Sequence, residues 1–135
     1  MNTGQKELRQ LRRICLSLPE TSETDSWGHP NFRAGKRTFA AFEAVGGRPS
    51  VAVRVGADEA DLLLLQRKDF FATPYGRGQW ISTWADGDSD WALLAELIER
   101  SYRKLALKRM IKALEEEKRK ACFGKPRSRT RSGDV

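Results

Sequence analysis

The chain has 135 residues, 39% hydrophobic, 9% aromatic and 32% charged, enough for one core and too apolar to stay wholly disordered. No apolar run approaches the roughly 20 residues that span a bilayer, and Met1 to Arg13 lacks the apolar centre of a signal peptide, so one cytoplasmic domain without a membrane partner is expected. The net charge of +7 is unevenly placed: from Arg103 onward 12 Lys/Arg meet 4 Asp/Glu, net +8, which leaves Met1 to Tyr102 with 13 basic and 14 acidic residues, net −1.

Thr3 suits the cap of a helix over about Gly4 to Leu18, because Leu8, Leu11, Ile14, Cys15 and Leu18 recur at helical spacing and Pro19 stops them. Aromatic and β-branched runs then alternate with Gly28-His29-Pro30, Gly35-Lys36 and Gly46-Gly47, which predicts antiparallel strands near 24–27, 31–34, 37–44 and 50–55. In the last of these Val51, Val53 and Val55 face the core and Arg54 faces away.

Asp58 to Gln66, acidic at its start and carrying Leu62 to Leu65, reads as a short helix. Phe70 and Phe71 follow as packing residues. A Thr73 to Gly78 loop leads to a strand over 79–85 with Trp80, Ser82 and Trp84 on one face and Ile81 and Thr83 on the other. After a turn at Asp86-Gly87-Asp88, Trp91, Leu94, Ile98, Tyr102 and Leu105 mark a closing helix from about Asp90, whose pattern continues through Met110, Ile111 and Leu114. Residues 1–114 form the expected α+β domain. Residues 115–135, charged and nearly free of large apolar side chains apart from Phe123, are expected to be a disordered basic tail.

Catalytic groupings are poorly represented. His29 is the single histidine, set between Gly28 and Pro30, and neither Cys15 nor Cys122 has a second ligand nearby. No metal, no cofactor and no nucleophile–base pair are therefore expected. Both cysteines read as free thiols. Asp86/Asp88 and Asp58/Glu59 stand at a turn and a helix start, where carboxylates are favoured structurally. Tyr75-Gly76-Arg77-Gly78 lacks a Walker ending and precedes a strand, so it does not read as a nucleotide loop.

Basic and aromatic residues are more suggestive. Arg33, Lys36, Arg37, Arg54 and Arg77 lie in or beside strands with Trp27, Phe32, Tyr75, Trp80 and Trp84, a mixture that neutralises phosphates and stacks on bases. The tail adds Lys118-Arg119-Lys120 and Lys125, Arg127, Arg129 and Arg131, a pattern of basic arms that hold nucleic acid by counterion release. Tryptophans in a small domain are more often core than platform, and scattered Arg and Lys are usually solvated faces.

Leu18-Pro19-Glu20-Thr21, Trp27-Gly28-His29-Pro30 with Phe32-Arg33, Gly35-Lys36 and Phe39-Ala40 resemble the successive motifs of the MmcQ/YjbR family. Val51-Ala52-Val53-Arg54, Leu62 to Leu65, Tyr75 to Trp80, and Ser101-Tyr102 with Ala106 and Lys108 follow in the same order. The resemblance covers about Glu7 to Lys108. It implies a two-layer α+β domain, an antiparallel sheet covered by N- and C-terminal helices, of secretion-chaperone-like, double-wing type, and it implies DNA binding. The expected function is thus a non-enzymatic DNA-binding protein using Arg33, Lys36, Arg37, Arg54, Arg77 and Trp80 with Lys125, Arg127, Arg129 and Arg131. The near-neutral charge of Met1 to Tyr102 predicts no strong basic patch on the domain. The alternative is a protein- or small-ligand-binding module using an aromatic face around Trp27, Trp80 and Trp84.

Overall fold

Amphipathic helices and alternating strands can bury their apolar sides only against one another, and that requirement organises the whole chain. The structure is a computed structural model that describes residues 5–26, 28–45, 48–73, 78–85 and 90–124. Helix α1 (Gln5–Leu16) buries Leu11 and Cys15. Strands β1 (Thr21–Ser26), β2 (His29–Ala34), β3 (Arg37–Val45) and β4 (Arg48–Arg54) follow as a meander. Helix α2 (Ala57–Gln66), strands β5 (Phe70–Ala72) and β6 (Trp80–Trp84), and helices α3 (Trp91–Leu105) and α4 (Lys108–Gly124) complete the order. The six strands lie in the order β1-β2-β3-β4-β6-β5, every neighbouring pair antiparallel.

Register decides which residues share a face. Phe32, Ala40, Val53 and Ile81 stand side by side across four strands, and all are buried in one cluster with Leu11, Cys15, Leu63, Leu94, Leu97, Ile98, Tyr102, Met110 and Leu114 of the helices. All four helices therefore cover the same face. Between Phe32 and Arg33 the β2–β3 register shifts, so that Phe32 opposes Ala40 while Arg33 opposes Thr38. Phe39 is the extra residue of this bulge, and both it and Ala40 are fully buried, since a bulge turns two consecutive side chains away from strict alternation. Phe39 packs edge-on against Tyr102, with ring centroids 5.9 Å apart.

The other face carries Thr24, Asn31, Arg33, Thr38, Ala41, Ala52, Arg54, Trp80, Ser82, Trp84 and Phe71 by register. Among the described residues no helix covers it. Ala41, Ala52, Ser50 and Ser82 are nonetheless almost wholly buried there.

Three expectations are corrected. β1 starts three residues earlier than expected, because Thr21-Ser22-Glu23 is a polar edge segment without the alternation that marks a half-buried strand. The closing helix is two helices: Ala106 leaves helical geometry at φ −74° and ψ 155°, and α4 folds back along α3, so that Met110 and Leu114 are buried. A straight helix would have left both in water. Finally, the disorder expected from Glu115 does not begin there, because α4 continues to Gly124, with Glu115 bonded to Arg103 and Lys118 to Glu99. Residues 125–135 lie outside the described residues.

Tyr102 ties the elements together, its hydroxyl donating to the Pro19 carbonyl at 2.7 Å while its ring is buried. Burial raises that phenol to about 12. Replacing Tyr102 by Phe removes one hydrogen bond and leaves the Pro19 carbonyl without its donor, so an unfolding free energy lower by about 1–2 kcal/mol is expected in urea denaturation.

On the helical side Arg12 donates twice to Glu23, at 2.6 and 2.9 Å. These hydrogen bonds hold the Glu23 carboxyl below its usual range against partial desolvation, with the charge of Arg12 adding to them. A carboxyl depressed in the fold stabilises above its unfolded value, about 4.3, and loses that contribution as pH falls through the lower folded value. Glu23→Gln should therefore flatten the fall in stability below about pH 4.5, read as thermal midpoint against pH. An unchanged slope would remove Glu23 from the acid response.

Candidate nucleic-acid interface

The antiparallel order gathers particular residues at one end of the sheet. The β2–β3 turn at Gly35-Lys36, the last residue of β4 and the first of β6 all lie there. Arg33 opposes Thr38, and Arg54 opposes Trp80, on the face without helices. Arg37, paired with Ala34, begins β3 beside the turn. Five of the ten sequence-predicted residues, Arg33, Lys36, Arg37, Arg54 and Trp80, are thus brought to one end. Arg77, Lys125, Arg127, Arg129 and Arg131 lie outside the described residues, as do Trp27, Tyr75, Asp86 and Asp88.

Local bonds set the orientation of two of the arginines. Arg33 donates through Nη2 to the Lys36 carbonyl at 3.0 Å, fastening the guanidinium across the turn. Arg54 donates to Gln79 Oε1 at 3.1 Å, which aligns it along the start of β6. Lys36 and Arg37 are exposed.

Two further cations reach the same end from the helical layer. Lys104 donates to the Val55 carbonyl at 2.8 Å, and Gly56 follows at φ 92°, where a Cβ would come within 3.4 Å of Lys104 Nζ. The positive φ is what favours glycine there; the approach of Lys104 by itself would admit a side chain. Lys108 opens α4, and the next residue, Arg109, is bonded through both nitrogens to Glu20. Sequence reading missed Lys104, on the last turn of α3, and Lys108, which only the break after α3 brings here.

Among the described residues the carboxylates at this end include Glu20, bonded to Arg109, Asp58 and Asp61 of α2, and Glu59, bonded to Arg100. Asp25, Glu43, Asp69 and Asp90 lie toward the opposite end of the strands. A net charge near zero is a sum, and the fold spaces its parts unevenly along the strands.

The aromatic alternative also meets a local fact. Trp84 has the Arg48 guanidinium 4.1 Å from its ring centroid and the Phe71 ring at 4.5 Å, so its indole is engaged within the fold. His29 opens β2 and borders a hollow of about 430 Å³ with Leu8, Pro30, Phe42 and Pro49. Burial pushes the Cys15 thiol far above its ordinary value, which suppresses the nucleophilic thiolate. Among the described residues no three His, Cys, Asp or Glu side chains gather into a set able to hold a metal ion, and no helix is long and apolar enough to cross a membrane.

The YjbR family profile matches residues 16–104, which include the sheet, the basic end and α3. The chain belongs to the YjbR family. The Escherichia coli K12 protein titled "Uncharacterized protein YjbR" is 25% identical over 116 residues, covering 84% of this chain and 94% of that one, and the O157:H7 form matches to the same extent. Among solved structures, a Deinococcus radiodurans protein with the DUF419 domain superposes with a TM-score of 0.63 at 22% identity, over 80% of this chain and 87% of that chain. A Pseudomonas syringae protein superposes at 0.55 and 16% identity, over 76% and 97%. These likenesses establish the YjbR-type α+β fold for this chain. Residues 105–124, with Lys108 and all of α4, lie beyond the matched family region.

Proposed function

We propose that this YjbR-family protein is a non-enzymatic DNA-binding protein that meets DNA with the basic end of its sheet. The observation that carries the reading is the convergence of Arg33, Lys36, Arg37 and Arg54 on one end, with Lys104 and Lys108 added from the helices. Cations clustered in this way neutralise successive phosphates and release their counterions, which supplies affinity independent of sequence. Trp80 adds a partly exposed indole beside Arg54, a surface suited to sugars or unpaired bases. Lys125, Arg127, Arg129 and Arg131 add further phosphate contacts from the end of the chain.

Not every basic residue after Tyr102 takes part. Arg103 and Lys118 are committed to Glu99 and Glu115 within the helical layer, so their charge is neutralised internally. Fluorescence anisotropy with duplex DNA at several salt concentrations tests the proposal, and the decisive comparison is between charge reversals at the basic end and elsewhere. Equal effects at both places would remove the site.

A further inference from the structure

A polar hollow of about 320 Å³ opens on the helix-free face, lined by Thr24, Asp25, Asn31, Arg33 and Thr38. Its lining follows from register: Thr24 opposes Asn31, and Arg33, two residues on, opposes Thr38, so three adjacent strands turn their polar side chains toward one space. The Arg33 guanidinium is only partly satisfied. Its Nη2 is held by the Lys36 carbonyl at 3.0 Å, while its Nε is buried and has no hydrogen-bond partner. A buried donor left in that state is costly, more so when it belongs to a charged group, and the same shielding means that an anion in the hollow meets Nε only once the guanidinium turns from the Lys36 carbonyl.

We infer that this hollow is a phosphate-binding subsite, with the Arg33 guanidinium, turned from the Lys36 carbonyl toward the hollow, as the charged donor and the Thr24 and Thr38 hydroxyls and the Asn31 amide as neutral ones. The lining suits an oxyanion because hydroxyl and amide groups donate, and a guanidinium fork matches phosphate geometry with two parallel bonds. Asp25 is the opposing feature. It borders the same hollow from the edge strand, and a negative charge so near disfavours an anion, which limits affinity and makes the site dependent on what the anion brings besides charge. The hollow holds about ten water volumes, enough for a phosphoryl group and part of its hydration. The phosphate could be free or could terminate a nucleotide, since both present the same oxygens. The inference stands without the DNA reading, because it rests on one hollow and one unsatisfied donor and not on the summed charge of the sheet end.

The test is a titration of the full chain with inorganic phosphate, followed by nuclear magnetic resonance at the Arg33 Nε–H and the backbone amides of Thr24, Asn31 and Thr38. Saturable shifts confined to these groups are expected, with a dissociation constant on the order of 1 mM, as suits a small exposed oxyanion site. Arg33→Lys, which keeps the charge and removes the fork, should weaken binding about tenfold while the rest of the amide spectrum stays unchanged. Asp25→Asn should tighten it several-fold, roughly as removal of one nearby like charge allows. Parallel titrations with a nucleoside 5′-monophosphate separate the sources: tighter binding than phosphate assigns the subsite to a nucleotide end, equal binding to free phosphate. An Arg33 Nε–H that does not move, shifts scattered over the basic end, or equal affinity in Arg33→Lys would overturn the inference. A loss of DNA binding on reversal of Lys36, Arg37 and Arg54 would still stand in that case, so the two failures are told apart.

Discussion

Phe39→Ala should lower the unfolding free energy by about 3–5 kcal/mol, the range for emptying a fully buried aromatic site. Phe39 is completely shielded from solvent, its ring meets Tyr102 edge-on at 5.9 Å, and its carbonyl accepts from Ser101 Oγ at 3.3 Å. The bulge places it over α3, where no neighbour can close the cavity without moving the helix, so little of the loss should be recovered. Phe42→Ala is the control. Phe42 is only partly buried at the edge of the same core, and its removal should cost about half as much, since it leaves a dent open to water instead of a void. Urea denaturation reads both, with a lower midpoint at an unchanged slope. A loss below about 1 kcal/mol for Phe39→Ala would mean that the bulge does not anchor α3.

Phe39 also marks the limit of sequence reading in the sheet. Strict alternation along Thr38-Phe39-Ala40-Ala41-Phe42 cannot indicate that Phe39 and Ala40 both turn inward, because a bulge depends on the register of two strands and leaves no signature in one. Where burial is one-sided and regular, the pattern was legible. Val51, Val53 and Ile81 face the core, while Arg54 and Trp80 face away, as their period predicts. The α3–α4 break was not legible for a related reason. Leu105-Ala106-Leu107 contains neither Gly nor Pro, and helical periodicity continues through it, so only the competition between a straight helix and burial of Met110 and Leu114 decides the turn. β5 is three residues long, too short for any periodicity to register.

The same distinction applies to the candidate site. Its residue types could be read, but their convergence required the strand order, since Arg33 and Arg54 are separated by two strands' worth of chain and approach one another only across β3. Lys104 reaches this end from the last turn of α3 and Lys108 through the helix reversal that follows. The charge sum says nothing of placement: Glu23 and Asp69 are taken up by Arg12 and Arg67, pairs that cancel in the tally and contribute little to the field at the sheet end.

The largest functional effect is expected from reversing three cations at that end. Lys36→Glu, Arg37→Glu and Arg54→Glu together should weaken binding to duplex DNA about 100-fold or more at moderate salt, since each replaces a charged group facing phosphate by a repulsion. The slope of log affinity against log salt should fall by about 2–3, close to 0.9 for each phosphate no longer neutralised. A second protein carries Arg9→Glu, Arg119→Glu and Lys120→Glu, exposed positions on α1 and on the distal half of α4. Both triple variants change the net charge by the same amount, so attraction between DNA and total charge would weaken them equally. A localised interface predicts a small loss for the second protein and a large one for the first. All six positions are at least partly exposed, and both proteins should unfold near the parent temperature, which thermal denaturation checks. A third protein ending at Gly124 separates the contribution of Lys125, Arg127, Arg129 and Arg131. If it loses all binding while the first variant retains the parent affinity, DNA is held by the chain's end alone and the sheet has no part in it.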